Sequence, residues 1–390
     1  MRTVRCSFAT VVALGLLLLA SCGQSTKPDN GGVNATAKRN VIRVGVFDGH
    51  GGAQTCVWEA YEAIRRDGDM RPYYVTSADI ARGVLDTLDA FIIPGGGGSR
   101  QWLNLGAENH RRIESFVNNG GGVLGICAGA YLLSSTPGYA SLGLSKGVAM
   151  DIAHDNRGHG VSNVTLTTLG QELFPELAAL DTIHIMYYEG PVYDTLQRAY
   201  DSFATMESDV HEEGNAPANM TNGRPFLIGN EAGQGRVMAC IAHPEATPGM
   251  QWMIPRMVRW TLRKAIVPYD KAMVNPSLLS GEHLMSVEML KRESDTYETF
   301  LYGTAEQKLE ALGWLRSVLS WDAKRWVQGL LYDGDARVRA AAAEYIAWMG
   351  YTRYFPDVRA AAASEGDAQA KEAMEQAVNA LMGQIAEANR

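Results

Sequence analysis

Two short stretches hold residue types that act together in acyl transfer. One is Gly125-Ile126-Cys127-Ala128-Gly129, and the other, much later in the chain, is His243-Pro244-Glu245. A nucleophilic cysteine needs to work as its thiolate, with a base to take the proton and donors for the developing oxyanion. Small residues around Cys127 suit a nucleophile on a tight strand-to-helix turn, where bulky neighbours would clash. Taken alone, the same five residues describe a small apolar side chain in a tight corner equally well. The second stretch tips the balance, because a strand running Arg236 to Ala242 would bring His243 to the same sheet edge. His243 is then the general base that returns its proton to the leaving group, and Glu245 fixes the ring tautomer and stabilises the imidazolium. Backbone amides of Gly95, Gly96, Gly97 and Ala128 are the candidate oxyanion and substrate loop.

Other polar residues carry less. Tyr131, Tyr188 and Glu189 are placed to line a substrate cleft, although packing would account for the tyrosines as well. The loop around His154, Asp155, Arg157 and His159 lacks helical i, i+4 histidine spacing and reads as solvated, so no metal site is expected. Trp58 and Trp102 flank glycine loops and read as hydrophobic cover. Cys240 reads as a packed core thiol, with a disulfide to Cys56 left open. No organic cofactor is required by this chemistry.

The elements that would position these residues alternate from Val41 onward. Apolar strands are expected at Val41 to Phe47, Arg71 to Val75, Asp89 to Pro94, the run into Cys127, Ile183 to Tyr188, Pro225 to Asn230 and Arg236 to Ala242. Helices are expected between them, at about Thr55 to Arg66, Asp79 to Leu85 and Asn109 to Asn118. This alternation implies a doubly wound α/β domain with a mostly parallel sheet, in which ligands bind beyond the carboxyl ends of the strands. The loops Gly49 to Gly52 and Gly95 to Gly98 lie at those ends. Neither is a G-x-G-x-x-G leading into a helix, and no P-loop lysine follows, which argues against nucleotide binding.

At this point the chain resembles the class I glutamine amidotransferase-like superfamily, and within it the branch of biotin-protein ligase N-terminal domains. The resemblance rests on Pro94-Gly95-Gly96-Gly97, on Gly121 through Tyr131, and on Tyr188-Glu189-Gly190-Pro191. It spans roughly Val41 to Lys264 and implies a flavodoxin-like sheet with Cys127, His243 and Glu245 as the triad. The chain departs from glutaminase members after the nucleophile, where Ala130 and Tyr131 occupy the stretch that usually carries a substrate-holding glutamine. No synthetase or biotin-ligase catalytic domain follows in the sequence. Classical glutaminase activity is therefore not the expectation.

The ends of the chain add a compartment and a second architecture. Met1 to Arg5 is basic, Phe8 to Ala20 is apolar but too short to span a bilayer, and Leu19-Ala20-Ser21-Cys22 resembles a bacterial lipoprotein box. Residues 1–21 read as a signal peptide, and residues 22–40 as a flexible tether from a lipidated Cys22. The predicted location is extracytoplasmic, at the periplasm or cell surface, held to a membrane by that anchor. Removing Arg2 and Arg5 takes the formal charge from -8 to -10. With no Lys/Arg cluster, nucleic acid is not an expected partner. Of five cysteines, Cys56, Cys127 and Cys240 remain in the mature body. Residues 41–265 form the amidotransferase-like domain, 266–300 a connecting helical segment, and 301–390 an all-α domain. There, three segments starting at Gly303, Gly334 and Gly366 align, with basic residues at Lys308, Arg339 and Lys371. The pattern resembles HEAT-type repeats, a surface suited to a protein partner. The functional expectation is a thiol-dependent hydrolase or acyltransferase acting on an amide-type bond of a small molecule or peptide. Its alternative is a catalytically silent binding or scaffold protein using the same cleft.

Overall fold

The computed structural model describes residues 41–385 apart from 155–156, 197–198 and 212–215. The signal segment, Cys22, the tether and Asp155 lie outside the described residues. Those described belong to one compact unit.

Ten strands among the described residues form one sheet. They are β1 (Ile42–Phe47), β2 (Met70–Val75), β3 (Ala90–Ile93), β4 (Gly122–Ile126), β5 (His159–Leu166), β6 (Ile183–Tyr188), β7 (Asp201–Met206), β8 (Arg224–Ala232), β9 (Gly235–Cys240) and β10 (His283–Leu284). Strands β2, β1, β3, β4 and β9 run parallel in that order. Beyond β9, an antiparallel wing continues through β8, β7 and β5, which also pairs with β6 and β10. The expected doubly wound α/β architecture is therefore present, with the antiparallel wing added to it.

The helices of this part are α1 (Gln54–Ile64), α2 (Ser77–Ala81), α3 (Gly98–Asn118), α4 (Ala128–Leu133), α5 (Thr168–Leu173) and α6 (Met253–Thr261). Strand alternation sends successive side chains to opposite faces. Val44, Val46, Ile92, Leu124 and Ile126 enter one core with Val57 and Ile64 of α1 and Met257 and Val258 of α6. Phe47, Phe91, Ile93 and Val123 enter the other, with Ile113 and Val117 of α3 and Leu132 of α4. Buried on both sides, these strands read as continuous apolar runs. All the loops that follow β1, β3, β4 and β9 consequently gather at one edge.

The wing was the less visible part. His159 opens β5, although its glycine-containing surroundings read as loop, and Arg157 is fully buried rather than solvated. Val161 and Val164 are buried because β5 is held between β6 on one side and β7 and β10 on the other. That sandwiching is a tertiary effect that a short polar-apolar stretch does not announce.

The remaining helices are α7 (Val287–Tyr302), α8 (Ala305–Ser317), α9 (Ala323–Val327), α10 (Ala336–Met349), α11 (Phe355–Ser364) and α12 (Ala368–Gln384). Each aligned segment starts a helix with a side-chain cap. Thr304 accepts from the Gln307 amide, Asp335 from Arg337, and Asp367 from Ala370. The recurring basic position also has a recurring partner: Lys308 pairs with Asp333 at 2.6 Å, and Arg339 with Glu365 at 2.6 Å. The helical core takes in Val161 and Met186 from the sheet wing, so the helices pack against the α/β layer rather than hang from it. No described helix is long and apolar enough to cross a membrane.

Candidate active site

Cys127 sits at the turn between β4 and α4 with φ 51° and ψ -108°. A non-glycine residue there is strained, by on the order of 1–3 kcal/mol, and such strain persists only where the surroundings enforce it. They do so here. The Cys127 amide donates to the Cys240 carbonyl at 2.9 Å, and its own carbonyl accepts from the Ala130 and Tyr131 amides. A Cβ on Gly125 would lie 2.5 Å from the Gly129 carbonyl oxygen, and one on Gly129 would strike the Ile93 carbonyl. The G-x-C-x-G spacing is thus what lets the turn close. The thiol is 7% exposed and lies 3.2 Å from the Tyr188 carbonyl, to which it donates.

His243 follows β9, the strand that pairs with β4, so Cys127 and His243 come from the ends of adjacent strands. Its amide donates to the Met186 carbonyl, and its carbonyl accepts from the Thr247 hydroxyl at 2.7 Å. Nδ1 and the Glu245 Oε1 are 2.8 Å apart, and both side chains are buried. The Cys127 thiol is within hydrogen-bonding reach of the imidazole. Burial alone would lower the imidazolium, but the charges of Cys127 and Glu245 outweigh it and push the group up to about 10. The three residues named from sequence are brought together in the order thiol, imidazole, carboxylate.

The proposed oxyanion loop divides. The Gly97 amide donates to the Gly51 carbonyl at 2.7 Å and is therefore committed to the loop itself. Among the described residues, the Gly96 and Ala128 amides have no acceptor, and both residues line the cavity. Gly95 serves as a spacer. A Cβ there would lie 2.8 Å from the His243 Cε1 and 3.0 Å from the Cys56 sulfur.

That contact exposes a residue the sequence reading did not place at the site. Cys56, in the first turn of α1, has its sulfur grouped with ligand atoms of His243 and Glu245, all within 4.8 Å of one another. It is a free thiol, as are Cys127 and Cys240, and burial pushes it well above its ordinary range. The second Glu245 oxygen, Oε2, is buried with no hydrogen-bond partner among the described residues.

Tyr131, Tyr188 and Glu189 all line a cavity of about 760 Å³ above Cys127 and His243. The Tyr131 hydroxyl is anchored on Asp151, which also pairs with Arg157; Arg157 in turn donates to the Tyr187 hydroxyl at 2.8 Å. This buried network braces α4 from behind. His159 stacks on Tyr188 at 4.3 Å, and burial lowers it to about 4, so it is neutral at ordinary pH. Trp58 is covered by Arg353 and Trp102 stacks on His110, so both rings are occupied within the chain.

The helical region also reaches the cavity, through Trp321, Asp322 and Arg325. The Trp321 ring meets the His243 ring edge to face at 4.5 Å. Lys324 is buried behind it, ion-paired with Glu59 of α1, and its ammonium lies 4.7 Å from the Trp321 ring centre.

Comparison with known proteins gives structural neighbours of low identity. PurLQS from Thermotoga maritima is 19% identical, over 57% of this chain and 98% of that one, with a TM-score of 0.41. The glutaminase domain of Trypanosoma brucei CTPS with bound acivicin is 13% identical over 58% and 96%, with a TM-score of 0.39. A ThuA-like protein from Bacteroides uniformis is 15% identical over 64% and 100%, with a TM-score of 0.41. No curated protein matches. The family model described as "Biotin-protein ligase, N terminal" matches residues 42–257.

Proposed function

The chain belongs to the family of biotin-protein ligase N-terminal domains, and on that premise we propose that it is a thiol-dependent hydrolase or acyltransferase for an amide-type bond. The observation that carries this reading is the enforced positive φ of Cys127 beside an imidazole already fixed by Glu245. In the reaction, the Cys127 thiolate attacks the amide carbonyl, forming the C–S bond. The oxyanion is held by the Gly96 and Ala128 amides. Imidazolium His243 protonates the leaving nitrogen as the C–N bond breaks, leaving a thioester and a neutral imidazole. His243 then takes a proton from water, or from an acceptor amine, as that nucleophile displaces the thiolate. Glu245 keeps the ring oriented through its contact with Nδ1.

At neutral pH, iodoacetamide is expected to alkylate Cys127 at least about tenfold faster in the wild type than in His243→Ala, because the imidazole takes the thiol proton. Equal rates in the two proteins, read at Cys127 by peptide mass spectrometry, would overturn the assignment.

The same reading makes the protein an extracytoplasmic lipoprotein with HEAT-like repeats after the α/β domain. The Leu19 to Cys22 box supports the first, and the repeated caps and Lys308–Asp333 and Arg339–Glu365 pairs support the second. Radiolabelled palmitate should enter the wild-type protein and not Cys22→Ala; equal labelling would refute the anchor.

A further inference from the structure

The cavity is not built by the α/β domain alone, and its charged lining is unevenly partnered. Arg100, in the first turn of α3, and Arg325, in α9, both face it. Among the described residues, neither guanidinium makes a hydrogen bond or ion pair. Trp321 closes the imidazole side of the same space. We propose that the helical region completes the substrate site, and that the cavity takes an amide carrying a carboxylate near the reacting bond, held between Arg100 and Arg325.

The argument rests on position and chemistry together. The two arginines come from different parts of the chain, yet both open onto the space above Cys127. A guanidinium presents a planar fork that matches a carboxylate with two parallel hydrogen bonds. Asp322 and Glu189 line the same cavity. Their negative charge disfavours a polyanion such as a nucleotide and leaves room for a single carboxylate. A volume of about 760 Å³ suits a small molecule or the end of a peptide. The Trp321 ring lies between the His243 ring and the Lys324 ammonium, which is itself paired with Glu59. Its aromatic edge and the Tyr188 ring, 6.0 Å away, form an apolar wall for the rest of the substrate.

This inference rests on Cys127 being the nucleophile, and the test separates the two. The full-length protein is treated with N-iodoacetylglycine, which bears a carboxylate, and with its neutral glycinamide counterpart. Labelling is read at Cys127 by peptide mass spectrometry. The carboxylate reagent should label faster by on the order of tenfold, the equivalent of one charge-assisted contact. The preference should fall severalfold in Arg100→Gln and in Arg325→Gln, and weaken in high salt. Arg71→Gln, at the opposite edge of the sheet, should keep it. Equal rates in the wild type, or a preference unaffected by Arg325→Gln, would overturn the subsite while leaving the nucleophile in place. A second measurement uses Cys127→Ala and calorimetric titration with N-acetylglycine and N-acetylglycinamide. Binding of the acid alone, lost in Arg325→Gln, supports the subsite even if no reagent labels Cys127. Equal or absent binding of both in that protein counts against it.

Discussion

His243 is the residue on which the site's charge depends. Its position between Cys127 and Glu245 raises it to about 10 against the lowering effect of burial, whereas in the unfolded chain a histidine titrates near 6.5. A folded value above the unfolded one means that the stabilisation is complete below pH ~6.5 and is lost as pH rises through about 10. The stability difference between wild type and His243→Gln, measured by urea unfolding from about pH 6 to about pH 10.5, should therefore shrink as pH increases. A difference that stays flat, or that grows with pH, would show that the imidazolium is not held by its neighbours. The sequence named all three members of this set because each stands in a local pattern: G-x-C-x-G, and His-Pro-Glu after an apolar strand. Cys56 was missed because its closeness to His243 comes from α1 packing over Gly95, and no local spacing encodes that.

Among the elements, α9 and the turn before it matter most for the site, although α9 is one of the shortest helices. Trp321 reaches His243, and Lys324 is buried against Glu59, which lies on the same helix as Cys56. Burial pushes the Lys324 ammonium down to about 7; the charge of Cys56 opposes that push and the neighbouring Arg325 adds to it. Removing one member of a buried pair leaves the other charge uncompensated, a loss of about 3–5 kcal/mol. Lys324→Ala should cost stability on that scale in denaturant unfolding, and the double change Glu59→Gln with Lys324→Met should recover most of it. If the double change is no better than the single one, the pair is not what joins α9 to α1. The recurring pairs of Lys308 and Arg339 are the helical counterpart of this logic, each tying one helix start to the acid that precedes the next segment.

At the scale of the whole molecule, the helical region and the sheet share their boundary closely. Arg66, after α1, is buried and donates to the Gly350 and Gln384 carbonyls. The Gln251 side chain donates to the Met349 carbonyl, and β10 adds to the edge of the sheet wing at β5. These contacts satisfy backbone carbonyls at the ends of α10 and α12, which would otherwise lack partners. They also set where Trp321 and Arg325 stand, so the composition of the cavity is a property of both parts.

The amino-acid sequence determined the alternating α/β core, the glycine-lined turn at Cys127 and the strand-end positions of His243 and Glu245. Those features rest on local periodicity and on short motifs whose steric reasons act within a few residues, such as the lack of room for a side chain at Gly125 and Gly129. Its alignment of three helix starts likewise corresponds to the capped starts of α8, α10 and α12. Tertiary structure alone decided the antiparallel wing, the burial of Arg157 and Cys56, and the entry of Trp321, Asp322 and Arg325 into the cavity. Each of these depends on packing between segments far apart in the chain, where burial and partner geometry outweigh local preference.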